Sequence, residues 1–167
     1  MKVTHTTKYN DFPEVKKQID LINGAGVEVG VLRGEKQWLA AIHEYGCDIE
    51  VTPKMRKFLA SQGMRLKKTT KHIHIPERSF LRAGYDKHRD AVGRKASRLL
   101  ADVTAGKITA RGCYQATGIE LSSKIKEYAV ELDNPPNHPF TADRKGSSNP
   151  LVDTGEMIGG ITWRKSK

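Results

Sequence analysis

The stretch Phe80-Leu-Arg-Ala-Gly-Tyr-Asp-Lys-His-Arg-Asp-Ala-Val-Gly-Arg-Lys-Ala-Ser-Arg-Leu-Leu-Ala-Asp-Val-Thr-Ala105, followed by Gly106-Lys107 and by Thr109-Ala-Arg-Gly-Cys-Tyr-Gln-Ala-Thr-Gly-Ile-Glu-Leu-Ser-Ser-Lys-Ile-Lys-Glu-Tyr-Ala-Val-Glu-Leu132, decides how this chain folds. Its apolar positions are Tyr85, Val92, Ala96, Leu99, Leu100 and Val103 before the glycine, and Cys113, Ala116, Ile119, Ile125, Tyr128 and Leu132 after it. Spacings near the helical period predict two helices, each with a single apolar face. Only Gly84 and Gly93 interrupt the first helix. A link as short as Gly106-Lys107 returns the second helix antiparallel against the first.

Upstream of this pair, Phe12, Val15, Ile19 and Ile22 mark a short amphipathic helix, with Pro13 in its first turn and Asn23-Gly24 as its stop. Val27–Leu32 is rich in β-branched residues and reads as a strand. Glu35 to Tyr45 carries Trp38, Leu39, Ile42 and Tyr45 as a helical stripe closed by Gly46. Cys47–Val51 alternates with period two. Thr52 then stands as an N-cap with Pro53 behind it, opening a helix through Met55, Phe58 and Leu59 to about Gln62, with Phe58 on its core side. Lys67–Ile75 is the longest β-branched run, stopped by Pro76. Ser79 is placed to cap the first long helix, and Phe80 and Leu81 to anchor its start against the sheet.

Downstream, residues 134–150 hold four of the seven prolines and little periodicity, which predicts an extended loop. Val152–Ile158 reads as a helical turn and Gly160–Arg164 as a closing strand, whose deletion would expose the sheet. The expected fold is α+β: a small mixed or antiparallel sheet packed on two long antiparallel helices, with an extended Pro-rich loop. A length of 167 residues suits a single domain. Within it, residues 1–25 form an N-terminal tail and helix, 26–133 the core, 134–150 the loop, and 151–167 the closing turn and strand.

The formal net charge is +10, and it is concentrated. Between Pro53 and Arg98 there are 14 Lys and Arg against three acids, so this segment carries the whole excess. Such a stripe attracts a polyanion or serves as a solvated face. Lys54, Arg56, Lys57, Arg65, Lys67, Lys68 and Lys71 are its candidate contacts, to DNA or to an acidic partner. Aromatic interleaving of the kind that stacks single-stranded bases is absent, because only Phe58, Phe80 and Tyr85 fall there.

No reactive constellation emerges. Gly24-Ala-Gly26-Val-Glu-Val-Gly30 has the wrong spacing for a dinucleotide loop and precedes a strand. His72 and His74 share one strand face, and with His43 or a thiol they lack a full metal set. Cys47 and Cys113 read as buried or half-buried thiols. Neither a nucleophile elbow nor a His-Glu-x-x-His motif occurs. The expectation is a non-enzyme without cofactor or metal. No apolar run is long enough to span a bilayer, and Met1–Asn10 lacks the apolar centre of a signal peptide, so synthesis and action inside a cell are expected.

Three segments together carry a resemblance. Val27-Glu-Val-Gly-Val-Leu32 followed by Leu39-Ala-Ala-Ile-His-Glu-Tyr-Gly46 resembles the strand and helix that open many phage tail-completion proteins. Ile75-Pro-Glu-Arg-Ser-Phe-Leu-Arg82 resembles their Ile-Pro-x-Arg-x-Phe-Leu lead into the first long helix. Asn149-Pro-Leu-Val-Asp-Thr-Gly155, with Met157-Ile-Gly-Gly-Ile-Thr-Trp163 after it, resembles their Pro-Leu-x-Asp-Thr-Gly signature and last strand. The likeness runs from about Val27 to Arg164.

That resemblance implies a non-enzymatic virion protein of the phage neck, assembled in the host cytoplasm. It would complete the tail and join it to the head connector as a ring, commonly six-fold. Its partners would be copies of itself, the adjacent connector and tail-tube or terminator proteins, and genome DNA passing through without sequence readout. A tail terminator or head-closure protein of the same stack, and a non-specific nucleic-acid-binding protein, are the alternatives. Ring contacts are expected at Ile49, Glu50 and Val51 and at Phe140, Arg144 and Lys145, in pieces that project from the core. Replacing Phe140, Arg144 and Lys145 with alanine is expected to leave a folded monomer that cannot join heads to tails.

Overall fold

A computed structural model describes residues 11–166, so the tail reading of Met1–Asn10 and the final residue of the closing segment lie outside the described residues. In chain order the elements are α1 (Phe12–Ile22), β1 (Val27–Val31), α2 (Gln37–Tyr45), β2 (Cys47–Glu50), α3 (Pro53–Ser61), β3 (His72–Ile75), α4 (Leu81–Thr104), α5 (Ala110–Glu131), α6 (Pro139–Lys145), α7 (Glu156–Gly159) and β4 (Ile161–Lys165). The fold is α+β, with the two long helices α4 and α5 packed on each other and on a small antiparallel sheet. Their direction is visible in the ion pairs that tie them. Lys87 reaches Glu131 and Lys95 reaches Glu120, so residue numbers rise along one helix as they fall along the other.

The expected four-stranded sheet is two separate ribbons. β1 pairs with β4 antiparallel, Val29 opposite Trp163, and this ribbon lies on α5. β2 pairs with β3, Ile49 opposite Ile73, as a second ribbon that does not join the first and does not pack extensively on the long helices. The core runs through Val31, Ala40, Phe80, Val92, Leu121, Ile125, Ala129, Leu151, Met157, Ile158 and Ile161. Residues far apart in sequence meet there, and the closing strand contributes Ile161 at its centre, with 1% exposure. Gly118 of α5 lets β4 come this close. A Cβ at that position would overlap the Trp163 ring, so only hydrogen fits between helix and ribbon.

Four local expectations need correction. Lys67–Ile75 is not one long strand, since only His72–Ile75 is extended and Lys67–Thr70 closes a turn. Residues 134–150 are not wholly irregular, because Pro139–Lys145 forms α6, opened by His138 and Pro139 and closed by Gly146 at φ 66°. The apolar stripe of α2 also does not face inward as a whole. Ala40 and Glu44 are buried, whereas Trp38 and Tyr45 are mostly exposed. Phe58, placed on the core side of α3, is likewise more than half exposed.

Candidate subunit and polyanion interface

Two legs of chain leave the body and return at one point. α2 ends at Tyr45, Gly46 turns the chain out into β2, and β3 brings it back through Ile75 and Pro76. Gly46 has φ 69°, and a Cβ there would sit 2.8 Å from the Ile75 carbonyl oxygen and 2.9 Å from the Glu77 nitrogen. Backbone meets backbone where the legs cross, which only glycine allows. Beyond this point lie β2, α3, the 62–71 loop and β3, and neither α3 nor the β2–β3 ribbon packs extensively on another helix or strand. They form an arm.

The two ends from which the arm leaves and to which it returns are tied together by Glu44 of α2. Its buried carboxylate accepts hydrogen bonds from Ser79 Oγ (2.8 Å), the backbone nitrogens of Leu81 (2.8 Å) and Arg82 (3.0 Å), and Arg82 Nε (2.9 Å). Arg82 also reaches the Glu44 carbonyl oxygen and Glu77 Oε1, and its guanidinium lies 4.8 Å from the centre of the Tyr45 ring. The expected cap on α4, Ser79, therefore does not cap it. A carboxylate from α2 binds the free N–H groups of the helix start, and Ser79 donates to that carboxylate instead. Burial alone would raise the Glu44 pKa. The backbone N–H groups of Leu81 and Arg82, with Ser79 and Arg82, outweigh it and hold the group below the ordinary value.

Within the arm, Thr52 accepts a hydrogen bond from the Met55 nitrogen, as its N-cap role requires. Arg56 turns inward across the loop. It donates to the carbonyl oxygens of Leu66 (3.2 Å), Lys67 (2.9 Å) and Thr70 (2.7 Å), drawing the loop against α3. Of the seven candidate polyanion contacts, Arg56 is thus used up by the fold. Lys54, Lys57, Arg65, Lys67, Lys68 and Lys71 are exposed, and from Val51 to Lys71 the sequence holds no acid. Ile49 and Val51 are half-buried within the arm, Glu50 is exposed beside His72, and the Val51 nitrogen bonds the Lys71 carbonyl oxygen.

The 134–150 segment is pinned to the body rather than loose. Arg78, with 4% exposure, donates to the carbonyl oxygens of Pro135 and Pro136 and to Asn137 Oδ1. The Asn149 side chain spans two chain segments, donating to the Val130 and Leu132 carbonyl oxygens and accepting from the nitrogens of Leu151 and Val152. Lys145 donates to the carbonyl oxygens of Asn149 and Pro150 and is partly buried. Phe140, Arg144 and Lys145 do line one shallow cavity of about 310 Å³ together with Thr141 and Asp153. Arg144 is exposed and Phe140 half-exposed, so these two face outward, whereas Lys145 holds the segment in place. A variant lacking all three would lose structure as well as surface.

His43 lies at this pinned segment, and its pKa is lowered to about 4, first by burial and then by the positive charges of Arg78 and Lys145. Its buried Nδ1 has no protein partner. His72 and His74 share an exposed face of β3 as expected, and His74 Nδ1 is 2.8 Å from Asp48 Oδ1. Both cysteines are free; Cys113 is buried and its thiol is pushed up by burial, and Cys47 is half-buried. Among the described residues no group of three or more His, Cys, Asp and Glu side chains is arranged to hold a metal. No helix of the described residues is long and apolar enough to cross a membrane.

Sequence reasoning missed Glu44, Arg56, Arg78 and Asn149 as organising residues. Glu44, Arg78 and Asn149 sit inside the quoted motifs, so a signal was present for them. Arg56 lies outside them and acts on carbonyls that only the folded chain brings near. The chain matches no protein-family model, no curated protein and no solved structure.

Proposed function

We propose that this chain is a structural component of a bacteriophage neck, completing the tail and joining it to the head connector as a ring of identical subunits, with no reaction to catalyse. The observation that carries the reading is the convergence of the resembling segments on one framework. β1 pairs with β4, α2 clamps the start of α4 through Glu44, α7 packs on α2 and α5, and Arg78 and Asn149 brace the segment between α5 and α7. The residues that resemble the tail-completion family are thus the ones that build the body, and the arm leaves that body at the end of one motif and returns at the start of another. A rigid body with a projecting arm suits a heterologous ring, in which each copy reaches the next at a fixed rotation.

Exposed Tyr45 at the arm's root, and Trp38 at the other end of α2, add aromatic surface of the kind enriched at protein interfaces. Position in the neck stack, as completion, terminator or head-closure protein, would follow from which ring this surface meets. The test is assembly. Purified chain, alone and mixed with tails that lack their head-proximal end, is expected to form rings or to cap those tails in negative-stain images. A chain that stays monomeric at high concentration and leaves tail ends bare would overturn the reading.

A further inference from the structure

The charge on α3 and the 62–71 loop has no counterpart within that part of the arm. In the body, several cations sit beside acids: Lys87 with Glu131, Lys95 with Glu120, Lys124 with Glu127 and Arg82 with Glu44. In the lobe formed by α3 and the 62–71 loop, six exposed cations are gathered on 18 residues with no acid among them, and among the described residues no ion pair engages any of the six. Arg56 makes the gathering tighter. By binding the Leu66, Lys67 and Thr70 carbonyl oxygens it folds the loop onto the helix, bringing Arg65, Lys67, Lys68 and Lys71 to the unit that carries Lys54 and Lys57. Holding like charges together without neutralising them costs free energy, which an external anion would recover.

We infer that this lobe is a binding site for the phosphate backbone of duplex DNA, without sequence readout. The inference names a partner for the arm of the proposed neck protein, and it rests on that reading only for where the duplex comes from. The chemistry favours phosphate over an acidic protein surface. Five of the six cations are lysines, which are depleted in protein–protein interface cores and act on phosphates as mobile point charges. The lobe offers one exposed aromatic ring, Phe58, so it lacks the run of stacking platforms that would prefer single strands. Arg56 is a positioning residue here, since its donors already serve the loop.

The experiment is retention of the full chain on random-sequence duplex DNA, measured from low to moderate salt. Binding is expected to weaken by about two to three orders of magnitude between roughly 50 and 200 mM salt, the behaviour of several released counterions. Lys67→Ala/Lys68→Ala/Lys71→Ala is expected to lower affinity at least about tenfold and to reduce the salt slope by about 2–3. Lys87→Ala/Lys124→Ala, on the body, is expected to change neither. Arg56→Lys keeps the charge but loses the three-carbonyl grip, so affinity should drop several-fold while the slope stays near the parent's. No retention at low salt, an unchanged slope in the arm triple variant, tighter binding to oligo-dT than to duplex, or equal salt-sensitive capture by polyglutamate would each overturn the assignment. Ring formation and tail capping are measured on the same preparations. Rings without duplex binding sink this inference alone, and duplex binding without rings sinks the neck reading alone.

Discussion

The α4–α5 body and the α3 arm use the same residue types to opposite ends. On α4 and α5, several lysines are paired with glutamate across the helix pair or within one helix, as Lys95–Glu120 at 2.7 Å and Lys124–Glu127 at 2.7 Å illustrate. In the arm the one arginine with close partners, Arg56, binds backbone carbonyls, and the other cations face solvent. Burial differs in the same sense. The body closes over Phe80, Val103 and Ile161, whereas α3 has no buried residue and exposes Phe58. The lesson is that stability and surface chemistry are separated in space. Changes in the body should cost folding, and changes in the arm should cost binding.

The junction gives the largest expected effect. Glu44→Ala removes a buried carboxylate and leaves the Leu81 and Arg82 N–H groups, Ser79 and the Arg82 guanidinium without their acceptor. Breaking a buried ionic cluster from one side typically costs about 3–5 kcal/mol. Chemical denaturation should show that loss, with Glu44→Gln falling between the variant and the parent because its amide oxygen still accepts. A loss below about 1 kcal/mol for Glu44→Ala would mean that the clamp does not tie α2 to the start of α4.

Next in size is Gly118→Ala, which tests the body by itself. Alanine is the better helix former by about 1 kcal/mol, so an open site would be stabilised. Here the added methyl overlaps the Trp163 ring and must push β4 away from α5. Overpacking of this kind costs about 1–3 kcal/mol and should outweigh the helical gain. The combination with Trp163→Leu should cost less than the two changes summed, since the smaller side chain removes the overlap. A Gly118→Ala variant with a raised melting temperature would show that the closing ribbon does not press on α5.

Acid should weaken the junction through His43 and Glu44. His43 has a folded pKa of about 4 against 6.5 for the free group, so between those values the unfolded chain takes up a proton that the folded chain refuses. Stability therefore falls as pH falls from 6.5 to 4, by on the order of 1–2 kcal/mol once partial solvent access is allowed for. Glu44 works in the same direction at lower pH. Its folded pKa is depressed, so its contribution is full above the ordinary carboxylate value and is lost as pH drops through the folded one. His43→Gln should flatten the upper part of the profile and leave the lower part. An unchanged slope between pH 6.5 and 4 in that variant would remove His43 from the account.

These contrasts also separate what the sequence could convey from what it could not. The long helices, α1, Thr52 with Pro53, and the return of Ile161 to the core all follow from short-range period and capping. The start of α4 does not, because its cap comes from Glu44, 35 residues before Ser79. The β-branched run at Thr69-Thr70 favours a strand locally, yet Arg56 holds the adjoining carbonyls in a turn. Four strands were readable, but their division into β1–β4 and β2–β3 depends on pairing that no local pattern encodes. In α6 a local signal did exist, Pro139 at the start and Gly146 past the end, and the density of prolines obscured it. The site was legible as charge and composition. That Arg56 and Lys145 are internal braces was not, because a cation's partner carbonyls leave no trace in residue type.

The smallest expected effect is the most discriminating for the comparison. Lys54, Lys57, Lys68 and Lys71 are exposed and carry no ion pair among the described residues, so replacing all four with glutamine removes charge but no packing. Surface changes of this type shift stability by no more than about 0.5 kcal/mol each, and relief of self-repulsion makes the sign favourable. At low ionic strength the fourfold variant should unfold at the parent's denaturant midpoint or slightly above it, and the difference should vanish as salt screens the parent's repulsion. Amide exchange should show the same gain confined to α3 and the loop, where the charges lie. A global loss of stability would mean that the lysines hold the arm to the body, and the separation between a packed framework and a charged, outward-facing arm would fail at its root.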